Sequence, residues 1–310
     1  MDWRSRLTVR QAEGDRFLWQ RKAAAGIDAS FGDPRRAAVR AAAREGLRAW
    51  PGIRATLAEA ADDEDLTFLV QGLESVPGVE RWAEQVLDDA PGDPLALLVC
   101  GARLARTAPG DTARTRLSEA AACEPAWAAP WYFLQANSFG LGEGPDAAEP
   151  LFREVCGRAP GHTAAHRLRL QQLCAKSGGS HARTHAFARE AMLAAPQGSP
   201  LGGLVAMAHL EEWLALGGDP ESLHMTAPPV LHALREAAAR SVDHPAFVRR
   251  RDWTLEVNAF AMAFALAGDH RSARPQFRVL GARATEVPWR YLDERSPLVA
   301  FRAWRSRVNR

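Results

Sequence analysis

Four prolines set a period along the middle of this chain. Pro91, Pro125, Pro160 and Pro196 are separated by 34, 35 and 36 residues. Each closes a similar phrase: Asp89-Ala90-Pro91-Gly92, Cys123-Glu124-Pro125-Ala126, Arg158-Ala159-Pro160-Gly161 and Ala194-Ala195-Pro196-Gln197. The stretches between them are rich in Ala and Leu, with apolar residues at helical spacing. Proline ends a helix because it lacks an amide N–H and its ring clashes with the preceding turn. A stop recurring near every 34 residues therefore marks a helix-turn-helix unit that stacks on copies of itself. No stretch alternates apolar and polar residues for long enough to suggest a strand.

The expected fold class is all-α, an α-solenoid of antiparallel helix-turn-helix repeats. Residues 1–32 have weak periodicity and read as an N-terminal arm or irregular helix carrying Trp3, Phe17 and Trp19. Asp33-Pro34 is a helix start, an N-cap followed by proline at the first helical position. Residues 33–90 then read as degenerate repeats, with helices near 34–49, 52–61, 63–75 and 79–90, punctuated by Pro51-Gly52 and Pro77-Gly78. The regular repeats, 91–285, open on a second start signal, Asp93-Pro94. Hairpins are expected at 93–107 with 111–123, 126–139 with 144–158, 161–176 with 179–195, 199–216 with 227–241, and 246–267 with 269–284. Residues 286–310 are expected to hold a capping helix, near 296–308. Its face Leu298, Phe301, Trp304 and Val308 is apolar, and Arg302, Arg305, Arg307 and Arg310 meet water.

Composition narrows the partners. The 310 residues are 47% hydrophobic and carry a formal net charge of only +2, so no global field favours nucleic acid or an anionic membrane. The most apolar helix, 253–267, is short for a bilayer and contains Glu256 and Asn258, so no membrane span is expected. Cys100, Cys123, Cys156 and Cys174 sit singly in helical apolar patterns, as buried thiols of a reduced cytosol do. The first residues lead into no apolar secretory core, and a cytoplasmic location is expected. The ten tryptophans, among them Trp82, Trp127, Trp213 and Trp253, read as packing between helices.

The repeat positions resemble the tetratricopeptide repeat, whose 34-residue unit carries large apolar residues, a small residue where its helices cross and a closing proline. The first regular unit gives Leu97, Cys100, Gly101 and Leu104, then Ala113, Leu117 and Ala120, closed by Pro125. The second gives Trp131, Leu134, Ala147, Leu151 and Pro160, with Gln135 where a small residue belongs. The last gives Val257, Phe260, Ala261 and Phe264, then Gly268-Asp269, Ala273, Phe277 and Leu280. The stretches Leu173–Lys176 and Gly178–His181 are also similar to bacterial repeat proteins, a similarity that implies no function.

The tetratricopeptide resemblance implies a superhelix with a concave groove lined by the first helix of each pair, and a protein or peptide partner held in it. By position the groove candidates are Arg106, Tyr132, Phe139, Arg167, Gln171, Asn258 and Met262. The family's carboxylate clamp of Lys and Asn is not expected, since Leu98 and Ala102 stand at the matching positions. Self-association of an incompletely capped array is a further possibility.

Histidine supplies the alternative, a metal-dependent or accessory enzyme. His162 and His166 are four residues apart, as are His181 and His185, each pair on one helical face with metal-ligand spacing. Both pairs lie toward the starts of antiparallel helices. At 1.5 Å per residue His162 stands about 20 Å from the connecting turn and His181 a few Å from it, so the four do not converge. His166 and His185, with Cys174 as a third ligand, are what remains as a metal candidate. A di-iron bundle needs two Glu-x-x-His motifs. Only Glu221-Ser222-Leu223-His224 fits, in a proline-flanked connector. Gly140-Leu141-Gly142-Glu143-Gly144 follows a helix rather than a strand and reads as a hairpin turn, not a phosphate loop. No catalytic residue is assigned and no cofactor is expected.

Overall fold

A computed structural model describes residues 26–310, so nearly all of the expected N-terminal arm lies outside the described residues. Among the described residues there are sixteen α-helices and no strand. The chain forms two compact units. The N-terminal unit comprises residues 32–172, and the C-terminal unit comprises residues 173–310 with the segment 26–31.

The N-terminal unit opens on α1 (Pro34–Ala42), α2 (Trp50–Ala58), α3 (Asp63–Glu74) and α4 (Val79–Asp89). Asp33 caps α1 through Arg36 N–H at 3.0 Å, and Asp62 caps α3 through Asp65 N–H at 2.7 Å. Such a cap is worth about 1 kcal/mol, because it satisfies an amide that the first turn leaves open. Next come α5 (Pro94–Thr107) with α6 (Asp111–Cys123), and α7 (Ala129–Leu141) with α8 (Pro145–Arg158), at the expected hairpin positions. Asp93 caps α5 on Leu95 and Ala96 N–H, as its sequence signal predicts. The Gly140–Gly144 segment is the α7–α8 turn, and Gly142 and Gly144 take positive φ there.

Consecutive hairpins pack on one another, α3 and α4 against α5, then α5 and α6 against α7. The α5–α6 crossing requires a small residue. A Cβ on Gly101 would stand 2.6 Å from Leu117 Cγ, and Ala113 is fully buried opposite. The core of this unit joins Ile53, Leu57, Leu69, Leu73, Leu97, Leu117 and Phe133, and Trp50 packs at a tilt on Trp82. Helix α9 (Thr163–Leu173) closes the unit.

The C-terminal unit contains α10 (His181–Ala194), α11 (Gly203–Ala215), the one-turn α12 (Leu223–Thr226), α13 (Pro228–Arg240), α14 (Thr254–Leu266), α15 (His270–Leu280) and α16 (Pro297–Val308). The sequence predicts helix from residue 246, but α14 begins only at Thr254, and Phe247–Arg250 is irregular. Helix α11 is central, packing on α10, α13 and α14. Its approach to α14 requires Gly203, where a Cβ would stand 2.6 Å from Glu256 Cγ. At the end of the chain Phe277, Trp289 and Phe301 form an aromatic triad with ring centroids 5.3–5.7 Å apart. It seats the apolar face of α16, while Arg302, Arg305 and Arg307 are exposed. No described helix is long and apolar enough to cross a membrane.

Candidate metal centre

Three helices of the C-terminal unit bring imidazoles and a carboxylate together. Ser180 caps α10 by accepting Arg183 N–H at 3.2 Å, which starts the helix at His181 and places His185 one turn in. Helix α11 buries Leu204, Ala208, Leu210 and Trp213, and this fixes its rotation. His209 and Glu212, three residues apart, then share the face turned to α10. Past α11 the chain reverses at Gly217 and Gly218, both at positive φ. Trp213 Nε1 ties the reversal down by donating to Asp219 O at 2.7 Å. Ser222 then caps α12, whose buried Met225 anchors it, and the neighbouring position is His224.

The distances are short. His185 Nε2 lies 2.6 Å from Glu212 Oε2, and His224 Nε2 lies 3.8 Å from the same oxygen. The His209 ring stands 4.5 Å from that of His185 and 5.6 Å from that of His224. One ligand atom each from His185, His209 and Glu212 falls within a 4.8 Å group. His209 Nδ1 and His224 Nε2 are buried and have no hydrogen-bond partner. Burial, with His185 and His224 beside it, pushes His209 down to about 3, so its ring is neutral at physiological pH. Burial also lowers His224, against the pull of Glu212. A neutral imidazole with a bare, buried nitrogen is the form that ligates metal.

A tetrahedral ion held at about 2.0–2.1 Å needs ligand atoms about 3.3 Å apart. The His185–Glu212 contact is tighter than this because it is a hydrogen bond. The His224–Glu212 gap is slightly wider. Around Glu212, small side-chain rotations therefore separate the present distances from tetrahedral spacing. Two imidazoles and one carboxylate suit zinc or a neighbouring first-row divalent ion better than calcium or magnesium, which prefer oxygen. The next residue, Glu211, is engaged elsewhere: it accepts from Lys176 Nζ at 2.8 Å and from the Tyr291 hydroxyl.

Of the residues singled out from sequence, only His185 belongs to this group. His162 works as a helix cap: its Nδ1 accepts Ala165 N–H at 3.2 Å, and its Nε2 meets Thr67 Oγ1 at 3.0 Å. His166 Nδ1 bonds the carbonyl of His162, and its ring stands edge-on to Phe152. Cys174 is buried, and burial pushes its thiol well up, so it stays protonated. His181 is half-buried one turn before His185. Half of the Glu-x-x-His match also contributes, since His224 stands beside the group while Glu221 is exposed. The signal that sequence reading missed is His209-Leu210-Glu211-Glu212, the same three-residue spacing in reverse order.

The groove candidates divide. Asn258 and Met262 are fully buried and are core positions rather than groove positions. Asn258 donates to Thr254 O and Arg283 O and accepts from Trp289 Nε1 at 2.6 Å. Both lie on α14, which is apolar on every face and buried all round, so helical phase alone does not tell its inner side from its outer side. Tyr132 is buried, accepts from Gln71 Nε2 at 2.6 Å and stacks on His162. Arg106 is turned toward Glu74 at 3.4 Å. Phe139, Arg167 and Gln171 are partly exposed.

A scan against protein-family models finds no match, and no curated protein matches the chain.

Proposed function

We propose that this protein binds a divalent first-row transition metal, zinc above all, through His185, His209 and Glu212. The observation that carries the reading is the 4.8 Å grouping of one ligand atom each from His185, His209 and Glu212, together with a His209 Nδ1 that is buried without a partner. An orphaned buried nitrogen is costly, by about 1–3 kcal/mol, unless something fills its lone pair. A metal ion does so. Elemental analysis and zinc titration of the purified chain test this. One equivalent per chain, lost in His209→Ala, is the expected result; no stoichiometric uptake from micromolar zinc overturns it.

A second reading is favoured by the packing of successive hairpins in the N-terminal unit. There the tetratricopeptide-like repeats form a stacked array that holds a protein or peptide, with Phe139, Arg167 and Gln171 as contact residues. Arg167→Glu is then expected to weaken a captured partner at least tenfold without loss of helix content by circular dichroism. Unchanged affinity would remove that surface from consideration. The two readings are compatible, since each rests on a different unit.

A further inference from the structure

We infer that His224 is a fourth, closing ligand of the site, so that the bound metal is enclosed by three imidazoles and one carboxylate and ties the one-turn helix α12 to α10 and α11. This rests on the metal reading above. Three observations point to His224. Its Nε2 is 3.8 Å from Glu212 Oε2, the oxygen that also meets His185. That nitrogen is buried and has no hydrogen-bond partner. Its ring also stands 5.6 Å from that of His209, one of the other ligands.

The local fold shows how the ligand is delivered. Residues 216–227 connect α11 to α13, and within them α12 is only one turn long. Leu223 is 85% exposed, whereas Met225 is buried, so the helix is held on one side and open on the other. His224 stands between these two, at the edge of the cluster. Rotation of the His224 side chain is enough to close the remaining gap of about half an ångström between 3.8 Å and the tetrahedral spacing. Three ligands would leave a position for water and hydrolytic chemistry. Four protein ligands make a closed site of the structural kind. The site therefore acts as a clasp on the connector rather than as a reaction centre.

Zinc affinity, measured by competition with a chromogenic chelator, and the visible spectrum of the cobalt(II) form separate the possibilities. Wild type, His224→Gln, His224→Ala and His232→Ala are compared, the last an exposed histidine of α13 outside the cluster. The expected result is an intense tetrahedral cobalt spectrum in wild type and His232→Ala. Both His224 variants should show a weaker spectrum of higher coordination and a zinc affinity reduced at least tenfold. Three protein ligands with one water also give a tetrahedral wild-type spectrum, so the zinc affinity of the folded His224 variants, with His224→Gln as the conservative change, decides. A five- or six-coordinate cobalt spectrum in wild type, or unchanged affinity in a folded His224 variant, overturns the fourth ligand while leaving the metal reading intact. No metal uptake by wild type overturns both.

Discussion

Glu74 is a carboxylic acid at odds with its surroundings in the N-terminal unit. It ends α3, only 12% of its side chain reaches solvent, and it faces Arg106 at 3.4 Å. Burial pushes its carboxyl up to about 7, and Arg106, Arg36 and Arg103 only partly oppose this. The native state then keeps a proton that the unfolded chain releases near pH 4.5. Stability from this group is complete below that pH, falls as pH rises and is gone above about 7, a change on the order of 3 kcal/mol. Urea midpoints of wild type, relative to Glu74→Gln, should therefore decline between pH 4.5 and 7; parallel profiles would show that the carboxyl binds its proton equally well in the folded and unfolded chain. The same inward turn of Arg106 explains why position within a repeat is a poor guide to groove residues. Helical phase places a residue on a face, but a buried carboxylate two helices earlier decides where a long side chain goes.

At the level of elements, local signals and long-range packing divide the work. Helix starts at Asp33-Pro34 and Asp93-Pro94 are legible because a cap and its proline act within one turn. The ends are legible for the same reason, from Pro125, Pro160 and Pro196. The terminal helix α16 is legible as amphipathic, but its seat is not. Phe301 reaches Phe277 of α15 and Trp289 of the intervening segment, contacts set 24 and 12 residues away in sequence. Phe301 is 1% exposed, and its removal leaves a cavity between two aromatic rings. Phe301→Ala should cost about 3–5 kcal/mol, read as a lowered denaturant midpoint. A loss under about 1 kcal/mol would mean that α16 is a loose appendage.

For the whole molecule, the proposed metal site gives the most direct readout. A ligand that binds only the native state stabilises it by about 2.7 kcal/mol at 100 times its Kd. Zinc should therefore raise the melting temperature in proportion to the logarithm of its concentration. Magnesium should not, and His209→Ala should be indifferent to both; an equal rise with magnesium would point to nonspecific screening. The sequence by itself determined that the chain is helical, where most helices begin and end, and that Gly101 marks a tight crossing. Those properties depend on residues within one or two turns and on a period that repeats. Only the tertiary structure decided which histidines meet. Of the conspicuous pairs, four residues apart, His162 caps a helix, His166 packs on Phe152 and only His185 joins the cluster. The cluster that does form comes from residues 185, 209, 212 and 224 on three helices. Its three histidines are 24 and 15 residues apart along the chain. Their convergence follows from how Leu204, Leu210 and Trp213 lock the rotation of α11 and how Gly217 and Gly218 turn the connector back. Spacing along one helix carries no information about that.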